Sequence, residues 1–244
     1  MAVESRYMSF LWLMLDLPTL PLFCAYLVMI GLSGVWQRLV PPATSLRPLL
    51  ILHNFACCLA SVISLCGFAY GNWESGSLYS RQTSVLLTNI FKLYWMTKVL
   101  ELLDTVFMIL RHKSRQISFL HVYHHSSMLL LSDLAYHYYP WPGIGVFLGM
   151  NSFVHIVLYL YYGLAALFPD SPPTWKRQMT QIQILQFLVG FVLASYGYVY
   201  HNYCMYSILY GITMTWLFSN FYYQAYVKKR PSKKAEVVHN GKAD

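Results

Sequence analysis

KVLELLDTVFMILRHKSRQISFLHVYHH, residues 98–125, sets a lysine, two carboxylates and three histidines into a chain that is otherwise close to hydrocarbon. At roughly 100° per residue, Lys98, Glu101 and Asp104 share about 120° of one helix face, and His121, His124 and His125 share about 100° of the next. Between them lies a short basic turn, RHKSRQ at 111–116. Two polar faces joined by such a turn can meet inside a helical bundle.

The composition says what surrounds that meeting. The chain has 244 residues, 57% of them hydrophobic and only 11% charged. A soluble domain carries about 25% charged residues, so an integral membrane protein is expected, folded as one polytopic bundle. The net charge of +8 would suit nucleic acid, but the basic residues sit in loops between apolar stretches, which points to membrane topology and away from nucleic acid. The N-terminus shows no cleavable signal pattern, so the first stretch is expected to serve as its own anchor. Cys24, Cys57, Cys58, Cys66 and Cys204 show no CxxC or metal spacing and read as packing thiols.

Seven apolar stretches are predicted, at about 18–36, 48–71, 84–110, 117–136, 144–168, 179–200 and 205–227, between a lead-in at 1–17 and a basic tail at 228–244. Counting Lys and Arg on alternate sides places thirteen on one side, from Arg38 and Arg47 to the tail, and two, Arg6 and Arg81, on the other. The positive-inside rule then predicts a cytosolic C-terminus and an N-terminus on the far side.

An ionisable group at the centre of a membrane helix costs roughly 2.5–3.5 kcal/mol on insertion scales, so Lys98, Glu101 and Asp104 must be paired or functional. A Lys98–Glu101 pair that only locks helices is one reading. Asp104 has no such close partner in sequence; it lies about 10 Å from the basic turn, at a depth that His124 matches, and could orient an imidazole. Further on, Asn151, His155, Tyr159 and Tyr162 fall within about 80° of one another, and Thr180, Gln183 and Gln186 share a face. Interhelical hydrogen bonding alone would also explain such residues.

Four histidines, at 121, 124, 125 and 155, can therefore converge with Asp104. Free imidazole titrates near pH 6.5, so neutral rings with a lone pair for nucleophilic or base chemistry are expected. HxxHH is also one of the boxes of membrane di-iron enzymes, which need a large histidine shell. This chain has nine histidines, and His112, His137, His201 and His239 fall in turns, on the far side or in the tail. Only His53 remains besides the four, which is too few for two irons, and no separate zinc set is present. No metal and no cofactor are expected.

KxxExxDT at 98–105, HVYHH at 121–125, NSFVHxxxYxYY at 151–162 and TxxQxxQ at 180–186 together resemble the ELO-type fatty acid elongases, the membrane 3-ketoacyl-CoA synthases. The resemblance spans nearly all seven stretches; Leu158 stands where many members have Met. It implies an all-α fold of seven transmembrane helices around an acyl tunnel, in the endoplasmic reticulum membrane. It also implies condensation of a long-chain acyl-CoA with malonyl-CoA to a 3-oxoacyl-CoA two carbons longer, with loss of CO2 and CoA. The partners implied are those two substrates, the lipid bilayer, and the 3-ketoacyl-CoA reductase, dehydratase and enoyl-CoA reductase of the cycle; a homo-oligomer is compatible with such a bundle.

No cysteine adjoins the histidine cluster in sequence, so His124 is the expected nucleophile, forming an acyl-imidazole. His155 or His121 would act as base or hold the enolate, His125 completes the box, and Asp104 would fix a tautomer. Lys98 and Glu101 would shape the site near its mouth, with Tyr159, Tyr162 and Thr180 lining it. Asn151, Gln183 and Gln186 would bond thioester or carboxylate oxygens, and Arg111, Lys113, Arg115, Lys176 and Arg177 would meet CoA phosphates. Gln116 and Val122 resemble the members acting on polyunsaturated and very long chains. Lys242 stands third from the end without a second lysine at Gly241 or Asn240, a weak retrieval signal. A seven-span receptor or small transporter using the histidines as a ligand or proton pathway is the competing class; it leaves the four motifs unexplained.

Overall fold

The computed structural model describes residues 12–228. The N-terminal lead-in up to residue 11, with Arg6, and the tail from residue 229 lie outside the described residues. Eight α-helices account for the described fold, with no strand among them: α1 Leu20–Leu39, α2 Arg47–Glu74, α3 Val85–Glu101, α4 Leu103–Leu110, α5 Phe119–Tyr138, α6 Pro142–Leu167, α7 Lys176–His201 and α8 Tyr206–Tyr222. A π-helical turn, Tyr223–Val227, continues α8.

Local chemistry sets the ends. Proline in the first turn starts α1, α2 and α6, where its missing N–H costs nothing. Ser84 caps α3 by accepting from the Leu87 amide, and Ser118 caps α5 by accepting from that of His121. Asn202 ends α7 in the left-handed conformation. The stretch expected as one helix from 84 to 110 is interrupted at Leu102, where the Leu102 amide reaches back three residues to Val99 and that of Thr105 three to Leu102. No proline or glycine stands at this break; it sits within the polar motif.

Four helices, α1, α2, α6 and α7, are long and apolar enough to cross a membrane. Length and hydropathy therefore mark four crossings rather than the expected seven, for a physical reason. The α3–α4 stretch is broken and carries Lys92, Lys98 and Glu101; α5 carries four histidines and Asp133; α8 has 17 residues.

The rods alternate in direction, as their end contacts record. At the basic end, Arg47 donates from Nε and Nη2 to the carbonyls of Ala166 and Leu167 at 2.9 and 3.0 Å, and the Ala43 amide donates to Leu110. At the opposite end, Arg81 donates to the carbonyls of His201 and Asn202 at 2.8 and 2.9 Å, lies over the Trp141 ring, and Tyr203 donates to the Ser80 carbonyl.

Lipid tails are as apolar as leucine, so helices in a bilayer associate through close packing and hydrogen bonds. Helices α2 and α6 pack most extensively, with Phe68 of α2 at the centre of a core that includes Phe91, Tyr94, Met128 and Leu148. Helix α1 stands at the side, its outward Val28, Leu32 and Leu39 exposed. Three polar contacts seat it. Thr19 donates its amide and hydroxyl to the fully buried Asp133 of α5 at 3.1 and 2.5 Å. Tyr26 meets Thr105 of α4, and Gln37 donates to the Ile109 carbonyl and accepts from Ser114.

Close approach singles out Gly143, at the start of α6. A Cβ there would sit 2.8 Å from the Leu78 carbonyl oxygen and inside the Tyr203 ring contact, whereas one at Gly31 of α1 meets nothing within 4 Å. Gly143→Ala is expected to cost about 1–3 kcal/mol and lower the thermal midpoint in detergent, while Gly31→Ala leaves it unchanged or slightly higher.

Candidate functional site

The break at Leu102 sets the carboxylates of Glu101 and Asp104 against different partners. Lys98 and Glu101 are 3% and 1% exposed, too deep to form a mouth. The Lys98 ammonium donates to both Glu101 oxygens, at 2.8 and 3.0 Å, and lies 4.7 Å from the Tyr94 ring centroid. His155 Nδ1 of α6 stands 3.0 Å from Glu101 Oε1. The ammonium also lies 3.3 Å from His155 Nδ1, but a bare Nδ1 lone pair would face the closer Glu101 oxygen, so the Nδ1–H is assigned as donating to Glu101 and the lone pair to Nε2. The pair thus joins α3 to α6 through His155 as well as closing on itself.

Asp104 does not orient His124, as its depth suggested. Its Oδ1 lies 2.9 Å from His53 Nε2 of α2, and its Oδ2 accepts from the Tyr159 hydroxyl at 2.7 Å. Helical spacing shows which residues share a face but not which neighbour that face meets, so the His53–Asp104 pair was invisible in sequence. The isolated histidine within an apolar stretch was its one signal. The carboxylate that orients a site imidazole is Glu101, and the imidazole is His155.

The HxxHH histidines do converge. Ring centroids of His121 and His125 are 4.3 Å apart, those of His124 and His125 5.6 Å, and those of His124 and His155 6.0 Å. His121 Nε2 is held 2.8 Å from Thr105 Oγ1. His124 is different: its Nδ1 is buried and bonded to no partner, while Phe218 of α8 closes edge-on at 6.3 Å. Cys57 is nearer the cluster than its place in the chain suggested, with Sγ 3.7 Å from His53 Nε2, but it is wholly buried. Among the described residues no three His, Cys, Asp or Glu side chains are grouped as metal ligands.

The remaining expected residues divide. Asn151 accepts from the Tyr94 hydroxyl at 2.7 Å, tying α6 to α3. Tyr159 is fully buried, whereas Tyr162, about one turn nearer the end of α6, is 43% exposed. Thr180 is buried and donates to the Lys176 carbonyl of its own helix, while Gln183 is half-buried. Gln186 lines an apolar groove of about 590 Å³ between α2, α6 and α7, beside Phe68, Asn72, Gly149, Phe153 and Val154. Arg111, Lys113, Arg115, Lys176 and Arg177 are exposed at the basic end; Arg177 donates to the Tyr222 hydroxyl at 2.8 Å. Tyr26, Tyr94 and Thr105 join the site without having been singled out, although Thr105 closes the KxxExxDT motif.

Residues 12–234 match the family described as ELO: GNS1/SUR4 family. The chain is similar to very long chain fatty acid elongase 5 of Tachysurus fulvidraco, 33% identical over 94% of this chain and 83% of that protein. It is 32% identical to very long chain fatty acid elongase 5 of Homo sapiens, over 92% of this chain and 80% of that one. With very long chain fatty acid elongase 2 of Mus musculus the identity is 35%, over 91% and 81%.

Removing one partner of a buried ion pair strands the other charge, at a cost of about 3–5 kcal/mol. Lys98→Met is expected to lower stability on that scale, and Lys98→Met combined with Glu101→Met to restore most of the loss. Thermal unfolding of the two variants in detergent measures the difference.

Proposed function

The chain belongs to the GNS1/SUR4 (ELO) family, and from that membership we propose that it is a fatty acid elongase that condenses a long-chain acyl-CoA with malonyl-CoA. The product is a 3-oxoacyl-CoA two carbons longer, with CO2 and CoA released. The observation that carries the chemistry is the inequality of the imidazoles: His121, His155 and His53 are each hydrogen-bonded through a ring nitrogen, and of the two that are not, His124 and His125, it is His124 that has a buried, uncommitted Nδ1 and lies 6.0 Å from the His155 ring.

In the first half-reaction a ring nitrogen of His124 attacks the thioester carbonyl. The carbon–sulfur bond breaks, the proton leaving the acylated ring passes to the thiolate, and CoA departs as the thiol. In the second, malonyl-CoA loses CO2, the resulting enolate carbon attacks the acyl-imidazole carbonyl, the carbon–nitrogen bond breaks, and the departing imidazolate takes from water the one proton that the overall condensation consumes. His155 is the base of the first half-reaction: its Nε2 lone pair, set by the bond from Nδ1 to Glu101, takes the proton from the ring being acylated and passes it to the thiolate. Cys57 is a poorer nucleophile candidate, being sealed in the core.

The basic end supplies Arg111, Lys113, Arg115, Lys176 and Arg177 for CoA phosphates, and that end is assigned to the cytosol, with the C-terminus, by the positive-inside rule. The opposite end and the N-terminus are then luminal, in the endoplasmic reticulum. The acyl tail is assigned to the apolar groove of α2, α6 and α7, which begins beside Val154, next to His155 in the chain, and runs away from the basic end. The names of the relatives, together with Gln116 and Val122, favour very long chains. The product would pass to a reductase, a dehydratase and an enoyl reductase.

Incubation of the purified protein with labelled acyl-CoA and no malonyl-CoA tests the acyl-imidazole. Label is expected on wild type and on Cys57→Ala and absent from His124→Ala, whose unfolding midpoint stays near that of wild type. Label surviving on His124→Ala overturns the assignment.

A further inference from the structure

Helix α1 reaches the site through one side chain. Tyr26 is 3% exposed and packs against Leu102 and Leu129, and its hydroxyl has one hydrogen-bond partner among the described residues, Thr105 Oγ1 at 3.0 Å. Thr105 is fully buried and has two partners, Tyr26 and His121 Nε2, the latter at 2.8 Å. Each hydroxyl carries one proton, and a buried O–H must give it to someone. Tyr26 can give its proton only to Thr105. The oxygen of Thr105 then accepts, and its own proton has His121 Nε2 as its remaining acceptor.

The direction of the chain is therefore fixed: Tyr26 donates to Thr105, and Thr105 donates to His121. The alternative, with His121 Nε2–H donating to Thr105, leaves one proton without an acceptor: that of Thr105 if its oxygen accepts from both neighbours, or that of the phenol if Thr105 donates to Tyr26. We propose that Thr105, which accepts from Tyr26, is a positioning residue that holds His121 as its Nδ1–H tautomer, so that it works as a hydrogen-bond donor to the reacting oxygen and not as the base. This rests on the condensation reading for its catalytic meaning, but the tautomer itself does not.

The assignment separates the two roles left open for His121 and His155. Glu101 takes the Nδ1 proton of His155 and frees its Nε2 lone pair, whereas Thr105 occupies the Nε2 lone pair of His121 and leaves its Nδ1–H to give. One ring accepts a proton and the other stabilises negative charge on a thioester or enolate oxygen. A neutral donor suits that task because it need not be charged first.

Nitrogen-15 spectra of the full chain in lipid nanodiscs, labelled only at histidine, read the tautomer directly; His121→Gln identifies the resonances. Wild type is expected to show His121 protonated at Nδ1 and unprotonated at Nε2, Thr105→Ser and Tyr26→Phe to keep that pattern, because the hydroxyl at 105 still has the His121 lone pair as its acceptor, and Thr105→Val to mix the two tautomers. In turnover with acyl-CoA and malonyl-CoA, kcat is expected to fall about 10–100-fold in Thr105→Val with KM little changed, and to recover in Thr105→Ser. Wild-type His121 protonated at Nε2 overturns the proposal, as does a tautomer unmoved in Thr105→Val. If the pattern holds and no condensation is found with any acyl-CoA, the reaction assignment fails and the tautomer lock stands.

Discussion

Glu101 has to be neutralised where almost no water reaches it, and the bundle is built to do that. A bare carboxylate at such depth is too costly to persist, so it holds Lys98 from its own helix and His155 from α6. Three residues on, Asp104 makes the same demand and is met by His53 of α2 and Tyr159 of α6. Two acidic groups on one broken rod thereby fix three helices against each other. Hydrocarbon supplies little drive for helix association, so these bonds, with the close packing of α2 on α6, decide the arrangement. The site follows from the same bonds, because a carboxylate that must be paired orients the ring that pairs with it.

That arrangement divides labour among chemically identical side chains. His155 is oriented by a carboxylate, His121 by a hydroxyl, His53 by a second carboxylate, and His124 by none through Nδ1. On the proposed chemistry a nucleophile needs an available lone pair, while groups that hold or move protons need fixed ones, and the neighbours of these rings differ in that sense.

How much of this was written in the sequence depends on the scale of the question. Apolar runs separated by polar loops placed the helices to within a few residues, since that signal is local. The convergence of the 121–125 box with His155 was legible because each set occupies a single helix face. What failed was pairing across helices. Asp104 was matched to His124 by depth, yet meets His53, because depth does not say which way a rod is turned. Tyr162 falls between Asn151 and His155 on the helical wheel but stays 43% exposed; it stands about one turn nearer the end of α6 than Tyr159, and the angle does not record that depth. Thr180 satisfies itself on its own helix, a local option open to any helical hydroxyl. The break at Leu102 had no proline or glycine to announce it.

The seating of α1 has a geometric corollary. Its anchors Thr19, Tyr26 and Gln37 are spaced seven and eleven residues apart, close to two and three whole turns, so they form a single ridge within about 20° of a straight line. A rod keyed along one ridge has its rotation fixed despite the little area it buries, and its lipid side is free to drift in sequence. Spacing is the property it cannot surrender. One residue gained or lost between Thr19 and Tyr26 would swing the phenol about 100° off the ridge and uncouple α1 from His121 while leaving its hydrophobicity intact.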